Sequence, residues 1–145
     1  MILKNLQSLY KKIFLFLIIF SVNTIYGQGY YNQWFFGEGA GLDFNSCHPT
    51  TIAGNVHSIE GCASICDYYG NLLFYTDGVS VWNDNHVLMP NGSGLLGHQN
   101  AAQSSLIVPN PGDSNQYYIF TTPWYNDTGA LRYSIVDITL DGGHG

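Results

Sequence analysis

The sequence contains few charged residues and very few of positive sign. Only 10% of its 145 residues are charged, and four Lys and Arg stand against ten Asp and Glu, which gives a formal net charge of −6. Proteins that bind nucleic acids neutralise phosphates with Lys and Arg, so this balance excludes a nucleic-acid partner. The 46% of hydrophobic and 15% of aromatic residues exclude a disordered chain.

The scarce bases are concentrated at the N-terminus, where three of the four precede an apolar run over residues 13–20. A basic segment, an apolar stretch and a small residue at the cut form a secretory signal peptide. The run is shorter than the ~20 residues that span a bilayer. We therefore predict a signal peptide over residues 1–27, cleaved after Gly27, and no stable membrane span afterwards. An uncleaved membrane anchor is the alternative.

The segment that remains, residues 28–145, lacks lysine altogether. It keeps all ten acids and has Arg132 as its single base, a formal net charge of −9. Without lysine, Schiff-base chemistry is excluded within this segment. One guanidinium also cannot form an arginine cluster for anions.

A sustained helical period is absent from residues 28–145, and short apolar runs alternate with Gly- and Asn-rich turns instead. Asp77-Gly78 predicts a hairpin between strands at 72–76 and 79–83. Residues 90–97 are interpreted as a second long turn region. The spacing of these signals predicts an all-β, antiparallel fold.

Two sets of strands, over residues 63–81 and 105–136, follow each other with a spacing of about 40–50 residues, which is typical of β-propeller blades. We predict partial β-propeller-like blades, with a β-sandwich as the alternative. Because two or three blades do not close a ring, we expect residues 28–145 to be a β-rich domain that forms the N-terminal part of a larger propeller.

Several longer motifs carry a resemblance to a known family. They are Trp34-Phe35-Phe36-Gly37, Gly41-Leu42-Asp43-Phe44, Ile59 to Ile65, Gly70 to Asn83, Met89 to His98 and Leu131 to Asp137. With these motifs the chain resembles the N-terminal region of large exported proteins of gliding Bacteroidota-type bacteria. The resemblance implies a propeller-like fold, adhesive repeats elsewhere in the protein, and export by the type IX secretion machinery as a partner. The chain departs from that family in lacking a C-terminal sorting module.

Three cysteines form an odd set for an exported chain. On one strand, Cys62 and Cys66 would lie about 13 Å apart, which is beyond disulfide reach. A disulfide of Cys47 with Cys62 or Cys66 is therefore the pairing we expect, and buried unpaired thiols are the alternative. The C-x₃-C spacing is not that of a structural zinc site, and we predict no metal site.

No cofactor is predicted either. Residues 83–85 and 141–143 offer oxygen ligands of the kind that Ca²⁺ prefers, but neither stretch follows the EF-hand pattern.

Trp124 and Tyr125 are the candidate ligand-binding residues, because they lie in a polar loop and offer flat faces for stacking on sugars. Packing into a core is the alternative for both. No catalytic residue is predicted, since no serine lies in a G-x-S-x-G elbow.

These observations favour a non-enzymatic scaffold or adhesion segment, secreted or held at the outer cell surface, that binds a glycan or protein there. The alternatives are the N-terminal part of a secreted hydrolase and a purely structural spacer.

Overall fold

A computed structural model of the protein describes residues 10–14, 27–124 and 131–145. Residues 10–14 are helical and exposed. The described residues form ten strands: β1 Gln33–Phe36, β2 Glu38–Asp43, β3 Thr50–His57, β4 Ala63–Cys66, β5 Leu72–Thr76, β6 Ser80–Asn83, β7 Leu88–Ser93, β8 Ser105–Pro109, β9 Gln116–Thr121 and β10 Arg132–Asp137. Single 3-10 turns lie at Gly29–Tyr31 and Asp141–Gly143. Within these residues, no helix is long and apolar enough to cross a bilayer.

The strands form three antiparallel sheets, each built from consecutive strands. The first sheet contains β1–β3, the second β4–β7 and the third β8–β10. None of the three closes into a barrel in the described part of the chain. The prediction of an all-β, antiparallel fold is confirmed. The three separate sheets are compatible with blades and also with the sandwich alternative.

The hairpin predicted at Asp77-Gly78 forms between β5 and β6, with Thr76 paired to Val81. Gly78 adopts a φ of 86°, a left-handed conformation that favours glycine. The Asp77 carboxylate accepts the next two available backbone N–H groups, from Val79 at 2.8 Å and Ser80 at 2.7 Å. Side-chain and backbone preferences therefore fix the same turn.

The interpretation of residues 90–97 as a turn region is wrong for its first half, because β7 extends over Leu88–Ser93. β7 lies at the edge of the second sheet, where a proline without an N–H is tolerated. Its pairing with β6 shifts register between Ser80 and Trp82, and Asn91 has a φ of 58°. Pro90 and Gly92 thus lie in a bulged edge strand.

The second sheet lies between the other two, and its neighbouring residues Phe74 and Tyr75 are both fully buried. Phe74 belongs to the core shared with the third sheet, which includes Ile119. Tyr75 belongs to the core shared with the first sheet, where its ring stacks on Phe35 with centroids 4.4 Å apart. Alternation along β5 therefore supplies both cores from one strand.

The first strands of the three sheets are neighbours in space. Cα atoms of β1 and β4, and those of β4 and β8, approach within 8 Å. Residues far apart in sequence therefore meet where these strands lie side by side, and this arrangement places the cleft described below.

Candidate functional site

The face of the third sheet that points away from the second sheet is apolar. Its alternate side chains form two rows across the strands, which together we call the outer face: Leu106, Phe120 and Tyr133 in one row, Val108, Tyr118 and Ile135 in the other. Leu106, Tyr133 and Ile135 expose 54%, 62% and 53% of their surface. A large exposed apolar surface of this kind typically marks an interaction site.

Three aromatic rings of the outer face contact one another. The centroids of Tyr118 and Tyr133 lie 5.8 Å apart, those of Tyr118 and Phe120 6.0 Å, and those of Phe120 and Tyr133 6.2 Å. Each distance is within the range of favourable aromatic pairing. The mutual contacts restrain the rings, so the outer face is a defined surface before anything binds to it.

A groove of about 750 Å³ adjoins the outer face where β8 begins and β9 ends. Leu106, Phe120 and Leu131 form an apolar wall, while Asn100 and Gln103 contribute amides. The groove is therefore mainly apolar, with a few polar groups beside it.

Trp124 lies at this groove with 38% of its surface exposed. Its ring is stacked on the His98 imidazole, with centroids 5.2 Å apart and planes inclined by 13°. Tyr125, the other predicted ligand residue, lies outside the described residues. Ligand binding at Trp124 stays a prediction, and the structure adds that a groove lies beside this residue.

A second cleft, of about 530 Å³, lies along the adjacent first strands β1, β4 and β8. Tyr31, in the 3-10 turn before β1, and Trp34, on β1, line it together with Glu60 and Gln103 from the loops before β4 and β8 and with Ser105 at the start of β8. The sequence gives no signal for this cleft, because its walls come from segments about 70 residues apart. In the sequence, Trp34 looks like an ordinary strand residue.

The three cysteines are free thiols: Cys47 is exposed, Cys62 is half-buried and Cys66 is buried. The bridge of Cys47 with Cys62 or Cys66 is not formed in this structure and stays a prediction about the oxidised protein. Burial raises the pKa of the Cys66 thiol to about 11. Burial, and less strongly the charge of Asp77, also raises the Cys62 pKa. Raised thiol pKa values oppose nucleophilic roles for both.

The two stretches with candidate Ca²⁺ ligands lie close together. His144 Nδ1 is 2.7 Å from the Asp84 carboxylate and 3.1 Å from the Asn85 side-chain amide nitrogen. The histidine thus contacts the one carboxylate, that of Asp84, which a cation at this position would need. In the described part of the chain, no cluster of three or more His, Cys, Asp or Glu side chains has metal-binding geometry.

Five aspartates accept backbone N–H bonds in turns two residues further along: Asp43, Asp67, Asp77, Asp113 and Asp137. Such Asx turns stabilise loops locally. The turn bonds, together with Asn71, lower the pKa of the Asp67 carboxyl despite partial burial, and Thr139 lowers that of Asp137. All five carboxylates therefore have structural roles in turns, and the lowered pKa values favour the ionised form of Asp67 and Asp137.

No family model, curated protein or solved structure matches the chain. Inference about function therefore depends on the surfaces described above.

Proposed function

We propose that the chain is a non-enzymatic scaffold segment of an exported cell-surface protein, and that it binds another protein segment through the outer face of the third sheet. The partner surface is a β-sheet with its own apolar face. The observation that carries this proposal is the set of six apolar side chains in register, three of them exposed and three half-buried, on one face of a sheet whose other face is buried.

The energetic reason is the removal of apolar surface from water. Complete burial of a side chain such as Leu, Ile or Phe contributes about 1.5–3 kcal/mol. Leu106, Tyr133 and Ile135 are each more than half exposed, so their coverage contributes several kcal/mol toward association. The six side chains of the outer face are uncharged, and Asp137, which follows Ile135 on the same side of β10, borders them at one end. Any salt dependence of binding is therefore expected to come from that one carboxylate.

The molecule itself indicates which kind of partner fits. The opposite face of the third sheet already packs against a sheet, with Ile107, Ile119 and Val136 meeting Ile65 and Phe74 in one core. Aligned sheets interdigitate through alternate side chains in this way. A further sheet offering similar side chains would cover the outer face by the same geometry.

The groove at Trp124 continues this apolar surface, since Leu106 and Phe120 belong to both. Its apolar wall favours a side chain of a protein partner over a sugar ring at this position. The rigid Trp124–His98 stack suits an anchor at the edge of an interface, where Trp is enriched.

The turn roles of the aspartates favour this scaffold proposal over a secreted hydrolase. A glycosidase requires two carboxylates facing one ligand at about 5–9 Å. The Asp43, Asp77 and Asp113 side chains each bond to their own turn instead. The resemblance to exported proteins of gliding bacteria supports the proposed location.

Site-specific crosslinking in the source cells tests the proposal. The photoreactive p-benzoylphenylalanine in place of Tyr133 is expected to give adducts on strand segments of an exported protein, identified by mass spectrometry. The same group in place of Tyr69, an exposed tyrosine on a hairpin of the second sheet, is the matched control. The double variant Leu106→Thr/Ile135→Thr should keep the fold and lose the adducts.

Equal labelling from positions 133 and 69 would overturn the proposal. Binding to a polysaccharide panel that disappears in the Trp124→Ala/Tyr125→Ala variant, without adducts at position 133, would replace it with glycan adhesion. If that double variant leaves polysaccharide binding and surface attachment unchanged, the placement of a ligand at Trp124 and Tyr125 is wrong.

A further inference from the structure

We infer that a second copy of this chain covers the outer face, and that the two copies join head to tail through the opposite end of the molecule. The surface at that end is the free face of the first sheet, which is the side of β1–β3 that points away from the second sheet. This inference rests on the proposed function, because it names the partner of the same surface. It comes from a separate observation: the chain has two open sheet faces whose side-chain sizes are complementary.

The free face consists of six uncharged side chains in two rows across the strands. They lie on the side opposite to the buried Phe35 and Val56. Five of the six are exposed, and the sixth is half-buried. The strand register places them as follows: Phe36, Ala40 and Ala53 in one row, Trp34, Leu42 and Thr51 in the other. The first sheet therefore ends in an open, uncharged surface, as the third sheet does.

The size of the side chains changes in opposite directions across the two faces. On the free face, β1 contributes the large rings of Trp34 and Phe36, whereas β2 and β3 contribute alanine, leucine and threonine. On the outer face, β8 contributes the aliphatic Leu106 and Val108, whereas β9 and β10 contribute three aromatic rings and an isoleucine. The first strand is thus the bulky one on the free face and the less bulky one on the outer face.

These opposite gradients allow the two faces to interdigitate. Within the molecule, neighbouring sheets approach each other at their first strands, β1 at β4 and β4 at β8. A second copy that continues this arrangement places its β1 over β8, its β2 over β9 and its β3 over β10. Large rings then meet small side chains on all three strands, which is how packed sheets fill the space between them.

Contact between two like faces fits less well in the same arrangement. Two outer faces would set the aromatic rings of β9 and β10 against each other, and two free faces would set alanine against alanine. The first contact is overpacked, and the second leaves voids. The geometry therefore favours a heterologous contact, in which each copy uses a different face.

The size of the faces determines how strong the association is. Three strands spaced about 4.8 Å apart and about six residues long cover roughly 15 by 20 Å. Two such faces with their side chains bury on the order of 800–1,000 Å², at the low end for specific interfaces. We therefore expect a dissociation constant of about 10–100 µM.

Sedimentation velocity over about 1–300 µM tests the association on the chain as the source cells export it. Ile135→Glu blocks the outer face, and Ala53→Glu blocks the free face. Both positions are exposed, so the fold should be kept, and equal melting midpoints verify this. Each variant should self-associate at least about tenfold more weakly, because the contact would bury an unpaired charge.

A matched control and two substitute variants accompany this pair. Tyr69→Glu introduces the same charge at an exposed position on a hairpin of the second sheet, and it should associate as the wild type does. Tyr133→Glu and Thr51→Glu, also at exposed positions of the two faces, replace the first two variants if either of those does not fold.

An equimolar mixture of Ile135→Glu and Ala53→Glu separates head-to-tail contact from contact between like faces. The first variant keeps an intact free face, and the second keeps an intact outer face. The mixture should therefore regain the association that neither variant shows alone. If like faces were in contact, one variant alone would associate as the wild type does, and mixing would restore nothing.

The inference is overturned if the wild type is monomeric at about 300 µM, if either variant associates as the wild type does, or if the mixture stays monomeric. In those cases, adducts from position 133 on another protein, or on a further segment of the same polypeptide, would leave the proposed function in place with that partner. Equal labelling from positions 133 and 69 would remove the proposed function itself, so the two failures are distinguishable.

Discussion

Removal of one buried oxygen atom, in the variant Tyr75→Phe, is expected to weaken the contact between the first and second sheets. The Tyr75 side chain is fully buried, and its hydroxyl accepts the Asn55 backbone N–H at 2.9 Å. The same hydroxyl lies 3.2 Å from His86 Nδ1. These two bonds join β5 to β3 and to the loop before β7.

The size of the effect follows from what the variant keeps. Phenylalanine preserves the stacks on Phe35 and Trp82, whose centroids are 4.4 and 5.5 Å from that of Tyr75. It leaves the hydrogen-bonding groups of Asn55 and His86 without their partner. A part-buried polar group left unsatisfied costs about 1–3 kcal/mol, so the free energy of unfolding should fall by about that amount. Tyr75→Ala, which also removes the ring and opens a cavity, should cost about 3–5 kcal/mol.

Urea unfolding of residues 28–145, followed by tryptophan fluorescence, measures this difference. Tyr133→Phe is the matched control, because that tyrosine is mostly exposed on the outer face, and its effect should stay within about 0.5 kcal/mol. The reasoning is refuted if Tyr75→Phe and Tyr133→Phe unfold at the same urea concentration with unchanged slopes. In that case the Tyr75 hydroxyl would contribute nothing beyond its ring.

Three further changes are predicted from the structure. Burial raises the pKa of the Cys66 thiol from 9.0 to about 11, so its contribution to the free energy of unfolding, about 2–3 kcal/mol, is fully present below pH 9 and is lost between pH 9 and 11. Urea unfolding at pH 8 and 11 should therefore show a smaller decline of that free energy in Cys66→Ala than in the wild type, and equal declines would contradict the prediction. Asp77→Ala should lower the free energy of unfolding by about 1–3 kcal/mol in the same assay, because two backbone N–H groups lose their acceptor. Asp77→Asn, which keeps an acceptor oxygen, should lower it less, and the reverse order would disprove the turn role. Gly54→Ala should cost about 1–3 kcal/mol, because its Cβ would lie 2.5 Å from Phe35 Cδ1, and Gly112→Ala, with 3.4 Å to its nearest neighbour, serves as the tolerated control.

Much of the fold follows from local patterns in the sequence. Strand β6, Ser80–Asn83, alternates between half-buried and buried side chains, as the period of two in residues 79–83 predicts for a strand with one covered face. Asp77 and Gly78 both favour a tight turn by themselves, so the hairpin could be predicted without knowledge of the tertiary structure. In these two cases, a period of two or a turn residue is sufficient to predict the element.

Other elements depend on contacts that no local pattern contains. β7 includes Pro90 and Gly92, which locally favour a turn, and it forms a strand because β6 offers pairing partners at an edge. β3, Thr50–His57, has little apolar alternation and pairs along β2. In both strands tertiary pairing overrides local propensity.

The candidate sites divide along the same line. Trp124 stands out in sequence because the residues around it are polar, and the structure places it at a groove. Trp34 does not stand out, since the cleft beside it depends on how close β1, β4 and β8 come to each other.

The central position of the second sheet also determines how the molecule opens. One core joins it to the first sheet and another to the third, and among the described residues no core cluster joins the outer two directly. Each outer sheet can therefore separate without disturbing the other, as in arrays whose units contact only their neighbours. The amide hydrogens of β5 should exchange with solvent most slowly of all, because both cores must open before that strand is released.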